Sequence, residues 1–378
     1  MKPLHQTLAD LVKINSVNPA YGDGGTEANV LPYLRDFFSQ RGIEAFEQEV
    51  FPGRANLIAR IPGRTSRRIV LEAHTDTVSV KGMEVDPFGA EIKDGKLYGR
   101  GSVDDKAGLA AMMHAVASLK ADGVKPECEV WLAAVVDEEF SYRGVVRLCE
   151  GLAAEAAIVA EPTEMRLVTA TKGVLRFRIV THGVAAHSSK PHLGHNAISD
   201  IARVVLELEA ENERLASQKH PLLGAATVNV GVVRGGVQVN LVPNSAAIEV
   251  DRRLLPHERA EEVVAGYEAL LHRIRQHHPN FDGRIERPLL LVDEALDTDL
   301  NSRVVGHSQR ILSSMGRNPT PCGVPFGSDA SKLSRAGVPT VVFGPGSIDQ
   351  AHAVDEFVEL AQVEEAQVFY RHFIESYS

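Results

Sequence analysis

Five short polar clusters in this 378-residue chain combine the residue types that hold divalent cations and move protons. They are His74-Thr75-Asp76, Asp104-Asp105, Asp137-Glu138-Glu139, Glu161-Pro162-Thr163 and the single His352. Hard carboxylates with two imidazoles and no thiolate suit Zn2+, Co2+ or Mn2+ at a catalytic site better than a structural zinc. Several carboxylates converging without a counterion would repel one another strongly at interior dielectrics, so a cation is expected among them. His74 and Asp76 stand two apart and, on extended chain, point the same way, so one can ligate while the other orients its second nitrogen. Glu138 and Glu139 are neighbours whose side chains diverge, so one can bind metal while the other activates water. Each cluster also has a plain structural alternative. A histidine at a strand end is often a surface or satisfied core residue, Asp105 can cap the helix that follows, and residues 137–139 can form a solvated turn.

The elements that must position these clusters follow from hydrophobic period and breakers. Helices are expected at 4–14 and 26–41, with Pro32 kinking the second or marking a late start. Strands are expected at 43–51, 55–61 and 69–73, the last apolar except for Glu72 and so suited to burial on both faces. Helix 106–121, strand 130–136, helix 144–152 and strand 156–160 continue the alternation, which implies a mostly parallel sheet. Ligands of such sheets bind beyond the carboxyl ends of the strands. His74, Asp137–Glu139 and Glu161 follow strands directly, and His352 lies on the loop after a strand at 340–343. Asp104-Asp105 precedes helix 106–121.

Near Gly173 the character changes. A strand at 174–181, a helix at 196–215, strands at 226–232 and 246–252, a helix at 258–276 and a strand near Arg284 spell a split βαβ unit. The first pattern resumes after about 287 with a helix at 299–315 and a Gly/Ser-rich turn at 326–329. An α/β domain of residues 1–173 and 288–378, interrupted by an α+β domain of 174–287, is the simplest account.

Composition narrows the function classes. Apolar residues make up 44% and charged residues 24%, an ordinary globular balance. The formal charge of −10 disfavours a general nucleic-acid partner, which needs clustered Lys and Arg. Three widely spaced cysteines, Cys128, Cys149 and Cys322, read as a reduced, cytoplasmic complement. The start offers no signal-peptide core, and apolar runs such as 132–136 are too short to span a bilayer, so no membrane partner is expected.

The motifs His74-Thr75-Asp76-Thr77-Val78, Gly99-Arg100-Gly101-Ser102-Val103-Asp104-Asp105-Lys106, Asp137-Glu138-Glu139, Glu161-Pro162-Thr163 and Gly344-Pro345-Gly346-Ser347-Ile348-Asp349-Gln350-Ala351-His352 resemble those of the M20 metallopeptidases. That family includes acetylornithine deacetylase, succinyl-diaminopimelate desuccinylase, aminoacylase and glutamate-releasing carboxypeptidase. The resemblance implies a zinc-peptidase-like mixed sheet flanked by helices, with an inserted ferredoxin-like lid and dimerisation domain. It implies two Zn2+ ions, with Co2+ or Mn2+ as substitutes: His74 and Glu161 on one, His352 and Glu139 on the other, and Asp104 bridging both. Asp76 would orient His74. Glu138 would be the general base acting on a metal-bridging water. A cis peptide after Asp104 is implied as well.

In the insert, His187 within Gly183-Val184-Ala185-Ala186-His187-Ser188-Ser189 resembles the lid histidine that reaches a partner subunit's site and steadies the tetrahedral oxyanion. This implies a homodimer. Asn240 and Arg252 resemble lid positions that bind the substrate carboxylate, and Gly327 and Ser328 in the turn Phe326-Gly327-Ser328-Asp329-Ala330-Ser331-Lys332 are further candidate substrate contacts. Relatives that handle a second substrate carboxylate carry an Arg soon after the Ser-Asp pair, where this chain has Ala330, Ser331 and Lys332. The expected reaction is removal of an acyl group, acetyl foremost, from an N-acyl amino acid. A dipeptidase or carboxypeptidase using the same site is the alternative within the family, and a non-catalytic metal-binding protein is the alternative outside it.

Overall fold

The apolar run at Ile69, Val70 and Leu71 becomes a central strand, and the chain is built outward from it. The computed structural model describes all 378 residues, Met1–Ser378. It divides into one unit of Met1–Thr169, Thr298–Cys322 and Ser328–Ser378 and a second of Ala170–Asp297 with Gly323–Gly327.

The first unit opens with α1 (Pro3–Val12) and α2 (Leu31–Ser39) and the hairpin β1 (Glu44–Phe51) and β2 (Arg54–Ile61), followed by β3 (Arg68–His74). After the short strands β4 (Ile92–Lys93) and β5 (Lys96–Tyr98) come α3 (Lys106–Ala121), β6 (Glu129–Val135), α4 (Arg143–Cys149), β7 (Ala156–Val159) and β8 (Val168–Thr171). In the second unit lie β9 (Gly173–His182), α5 (Ala197–Leu215), the small pair β10 (Lys219–His220) and β11 (Gly224–Ala225), β12 (Thr227–Gly235), β13 (Ser245–Leu254), α6 (Ala260–His277), β14 (Asp282–Ile285) and β15 (Leu291–Asp293). The chain closes with α7 (Arg303–Ser314), β16 (Cys322–Val324), α8 (Ala330–Arg335), β17 (Thr340–Val342), β18 (Phe357–Glu359) and α9 (Leu360–Ser376).

The main sheet has the order β1-β2-β6-β3-β7-β17-β8-β16. The expectation of a mostly parallel sheet holds at its centre, where β6, β3, β7 and β17 run parallel. Towards one side, β1 pairs antiparallel with β2 and β2 with β6, and towards the other β8 is antiparallel to β17, so the sheet is mixed. Gly53, at φ +75°, supplies the left-handed residue that closes the β1–β2 turn without steric cost. Ile69, Leu71 and Ala73 of β3 join a core with α1, α3 and α9, while Val70, Glu72 and His74 point to the opposite face. Each large apolar side chain buried there contributes roughly 1.5–3 kcal/mol.

Helix α3 is buried on nearly every side. Gly108 in its first turn permits this, because a Cβ there would lie 2.4 Å from Asp105 Oδ1 and 2.5 Å from the Ala160 Cβ just past β7. Pro32 marks a late start: Glu27–Asn29 form a 3-10 turn and α2 begins at Leu31, with the proline in the first turn where its missing N–H costs nothing. Helix α9 goes beyond the expected elements. Its buried Val363, Ala366, Phe369, Tyr370, Phe373 and Ile374 keep the helical period and cover the core.

In the second unit the antiparallel strands run β12-β13-β9-β14, and β15 also pairs with β9. The element order β9-α5-β12-β13-α6-β14 is a split βαβ arrangement. Along β13 burial alternates strictly, and Ile248 and Val250 pack with Ile201, Val204 and Leu208 of α5 and Val264 and Leu271 of α6. This unit is wider than the expected 174–287, because β15 extends the pairing of β9 past the second helix. No helix of the chain is long and apolar enough to cross a membrane.

Candidate metal centre

Parallel strands β6, β3 and β7 end at one edge of the sheet, so the residues that follow them are delivered to one place. There the side chains of His74, Asp104 and Glu161 offer donor atoms that all lie within 4.8 Å of one another, and so do Asp104, Glu139 and His352. Asp104 belongs to both groups. Its Oδ1 lies 2.9 Å from His74 Nε2 and its Oδ2 lies 3.3 Å from His352 Nε2, so its two oxygens face different imidazoles. His352 Nε2 is also 3.2 Å from Glu139 Oε1. The Asp104–Asp105 peptide bond is cis, as the resemblance implies.

Electrostatics test whether this donor set fits divalent cations. Burial, then the neighbouring Asp104 and Glu138 anions, push Glu161 well above the usual carboxylate range. Burial and Asp104 raise Glu139 in the same way. Burial, Asp329 and Glu139 raise Glu138 well up against the opposing pull of His74. The histidines answer in kind. Burial disfavours their charged forms, yet hydrogen bonds to Asp104 and its neighbours raise His74 well above the imidazole range and His352 to about 11. The cluster thus draws positive charge towards itself, and carboxylate and imidazole donors of this kind suit a pair of divalent ions.

The support around the cluster corrects one expectation. Asp76 holds His74 through its backbone carbonyl, which accepts from Nδ1 at 3.0 Å, while its carboxylate Oδ1 stands 3.7 Å away. With Nδ1 donating to this carbonyl, Nε2 is the nitrogen that faces Asp104 and becomes available to a metal once its proton is lost. The Asp76 carboxylate instead accepts the backbone N–H groups of Glu138 and Glu139 and the Asn18 amide. The physical reason is reach: the chain bends after His74, so the Asp76 side chain meets the loop following β6.

Asn18 donates at the same time to Asp137, at 3.0 Å, and Arg54 bridges Asp137 and the buried Glu27. Asp137 adopts φ +70° and caps its own turn by accepting from Tyr142 N at 2.7 Å. Asn18 and Arg54 were not among the expected site residues. Nothing local marks them, since each meets the site only through contacts between distant segments.

The remaining candidates belong mostly to the second unit. His187 is exposed, and its Nδ1 accepts the Ser189 N–H at 3.1 Å, which leaves the ring proton on Nε2 as an outward donor. Asn240 is exposed beside it, its carbonyl accepting Ser188 N at 3.0 Å. Arg252 departs from expectation. It shares the inward face of β13 with Ile248 and Val250, is 1% exposed, and pairs at 2.5 Å with Glu258 while donating to the Arg253 carbonyl. Its fork is used for structure, because strand alternation turns this residue towards the helices. Gly327 makes a close approach, as a Cβ there would lie 2.3 Å from Asp293 Oδ2. Ser328 of the first unit is fully buried, and its hydroxyl accepts the Ala330 N–H at 3.4 Å at the start of α8, again a structural use.

The sequence model of peptidase family M20/M25/M40 matches residues 70–376. An acetylornithine deacetylase of Myxococcus xanthus is 33% identical over 314 residues, 81% of this chain and 79% of that protein. A probable succinyl-diaminopimelate desuccinylase of Staphylococcus epidermidis is 29% identical over 385 residues, covering 93% and 92%. Among solved structures, aminopeptidase PepT of Bacillus cereus superposes with a TM-score of 0.79 at 24% identity, over 98% of this chain and 97% of that one.

Proposed function

Because the chain belongs to peptidase family M20/M25/M40 and is a metal-dependent hydrolase, we propose that it removes an acyl group, acetyl foremost, from an N-acyl amino acid. The observation that carries this reading is the pair of donor clusters sharing Asp104. His74, Asp104 and Glu161 would hold one divalent ion and Asp104, Glu139 and His352 the other, zinc being the first choice and cobalt or manganese substitutes. Two such ions, when bound, supply Lewis acidity that polarises an amide carbonyl and lowers the pKa of water.

The chain's own residues do the rest. Glu138, buried and held at its backbone N–H by Asp76, takes the proton of the attacking water and passes it to the leaving amine. His187, with its proton on Nε2, is suited to donate to the oxyanion developing in a partner subunit's site. Asn240 and Gly327 are the substrate contacts we propose. A homodimer through the second unit is supported by β12, which pairs only with β13 and leaves an open edge, and by Val233 and Leu206, which are 66% and 65% exposed. All three cysteines are free, which fits the cytoplasm.

An N-acetyl substrate is favoured by the 33% identical deacetylase and by Ala330, Ser331 and Lys332 standing where an Arg would bind a second carboxylate. Peptide hydrolysis is the second reading, favoured by the fold shared with aminopeptidase PepT; the bond chemistry is the same and pocket shape separates the two. A hydrolysis panel on zinc-loaded protein decides: N-acetylornithine and other N-acetyl amino acids, N-succinyl-diaminopimelate, and di- and tripeptides. Turnover confined to peptides would overturn the deacylase reading.

A further inference from the structure

Glu356 is completely buried four residues beyond His352, and no step above uses it. Its Oε2 meets Arg100 Nη1 at 2.5 Å. Its Oε1 accepts the backbone N–H of Val103 at 3.1 Å and of Asp104 itself at 3.4 Å. Its own carbonyl accepts Gly99 N at 3.0 Å, and the next residue, Phe357, pairs with Tyr98. Arg100 is 3% exposed and its Nε has no hydrogen-bond partner, so Glu356 is the counterion that makes this buried guanidinium tenable.

The two segments joined here carry different ligands. Asp104 follows Val103 directly, and His352 lies on the loop that leads into Glu356. His74 and Glu161 come from the ends of β3 and β7 and make no hydrogen bond with Glu356, whose carboxylate accepts from Arg100, Val103 and Asp104. We propose that Glu356 is a positioning residue of the two-metal centre, which with Arg100 clamps the Asp104 segment to the His352 segment and thereby sets the Asp104–Glu139–His352 cluster. The clamp acts unequally. Loosening it separates His352 from Asp104, while His74 and Glu161 keep their strand anchors. This inference rests on the two-metal reading above.

The test is zinc binding by titration calorimetry and the visible absorption of the cobalt-loaded full-length protein, comparing wild type with E356Q and R100K and checking each fold by circular dichroism. Wild type should take up two ions. Folded E356Q should bind the ion of the Glu139–His352 site about 10- to 100-fold more weakly, the usual effect of removing an outer support of a ligand, and lose much less at the His74–Glu161 site, where only Asp104 is shared with the clamp. The cobalt spectrum should lose the contribution of one site, and kcat should fall with KM little changed. R100K, which keeps the charge and loses the planar fork, should show the same selective loss in milder form and carries the test if E356Q does not fold. Wild-type affinity for both ions in the folded variants, or equal weakening of both, overturns the clamp. Wild-type protein that binds fewer than two ions overturns the two-metal reading itself.

Discussion

The carboxylate of Asp76 accepts the backbone N–H of Glu138 through Oδ1 at 3.1 Å. Its other oxygen accepts the neighbouring Glu139 N–H at 3.0 Å, so one side chain places both the proposed base and a proposed ligand. Replacing Asp76 by Ala should therefore lower kcat by about 10- to 100-fold. The loss should exceed any fall in metal content, because His74 is held by the Asp76 backbone, which the substitution leaves in place. Metal analysis beside steady-state kinetics separates the two, and unchanged kcat would remove the placement role.

Glu138→Gln keeps the size and shape of the side chain but cannot take a proton. Turnover should fall by about 10²- to 10⁴-fold, the range for a general base, with bound metal unchanged. Activity near wild type would assign the base elsewhere.

His187→Ala should leave metal binding intact and lower kcat by about 10²- to 10³-fold, as for loss of one oxyanion donor. A rate equal to wild type would reject that role.

Metal affinity should fall as pH falls. In the metal-free protein His74 is raised well above the imidazole range and His352 to about 11, so both carry protons at neutral pH. Ligation needs the neutral rings, so each ion displaces protons and acid favours the protonated, metal-free form. Calorimetric titrations in buffers of different ionisation enthalpy should report proton release on binding. An affinity independent of pH between 6 and 8, on the order of two units around neutrality, would contradict this charge assignment.

Arg252→Met should behave as a stability variant. It leaves Glu258, which is partly exposed and still accepts the Leu255 N–H, without the guanidinium it meets at 2.5 Å, a loss of a charge-assisted hydrogen bond that costs about 1.5–3 kcal/mol. Denaturant unfolding should show a lower midpoint at unchanged slope, while KM for the best substrate stays within about twofold. A large rise in KM at unchanged stability would return Arg252 to the substrate.

Local sequence carried much of the fold, because period and breakers act over a few residues. Strand β3 and helix α3 were legible from their apolar runs, and the five polar clusters were legible from their position after strands or before a helix. Pro32 was ambiguous for a local reason: only packing chose a late start over a kink. The antiparallel flanks of the sheet were hidden, since strand direction depends on pairing between segments far apart in the chain.

The sequence by itself determined which residues could hold cations and which elements would carry them. Tertiary structure decided how they are held. Asp76 supports His74 with a backbone atom and the Glu138–Glu139 loop with its carboxylate, Arg252 turns inward to Glu258, and Glu356 reaches Arg100 across 256 positions. These roles depend on hydrogen-bond geometry between remote segments, and residue type constrains what a group can bond to without saying which partner the fold brings within about 3 Å.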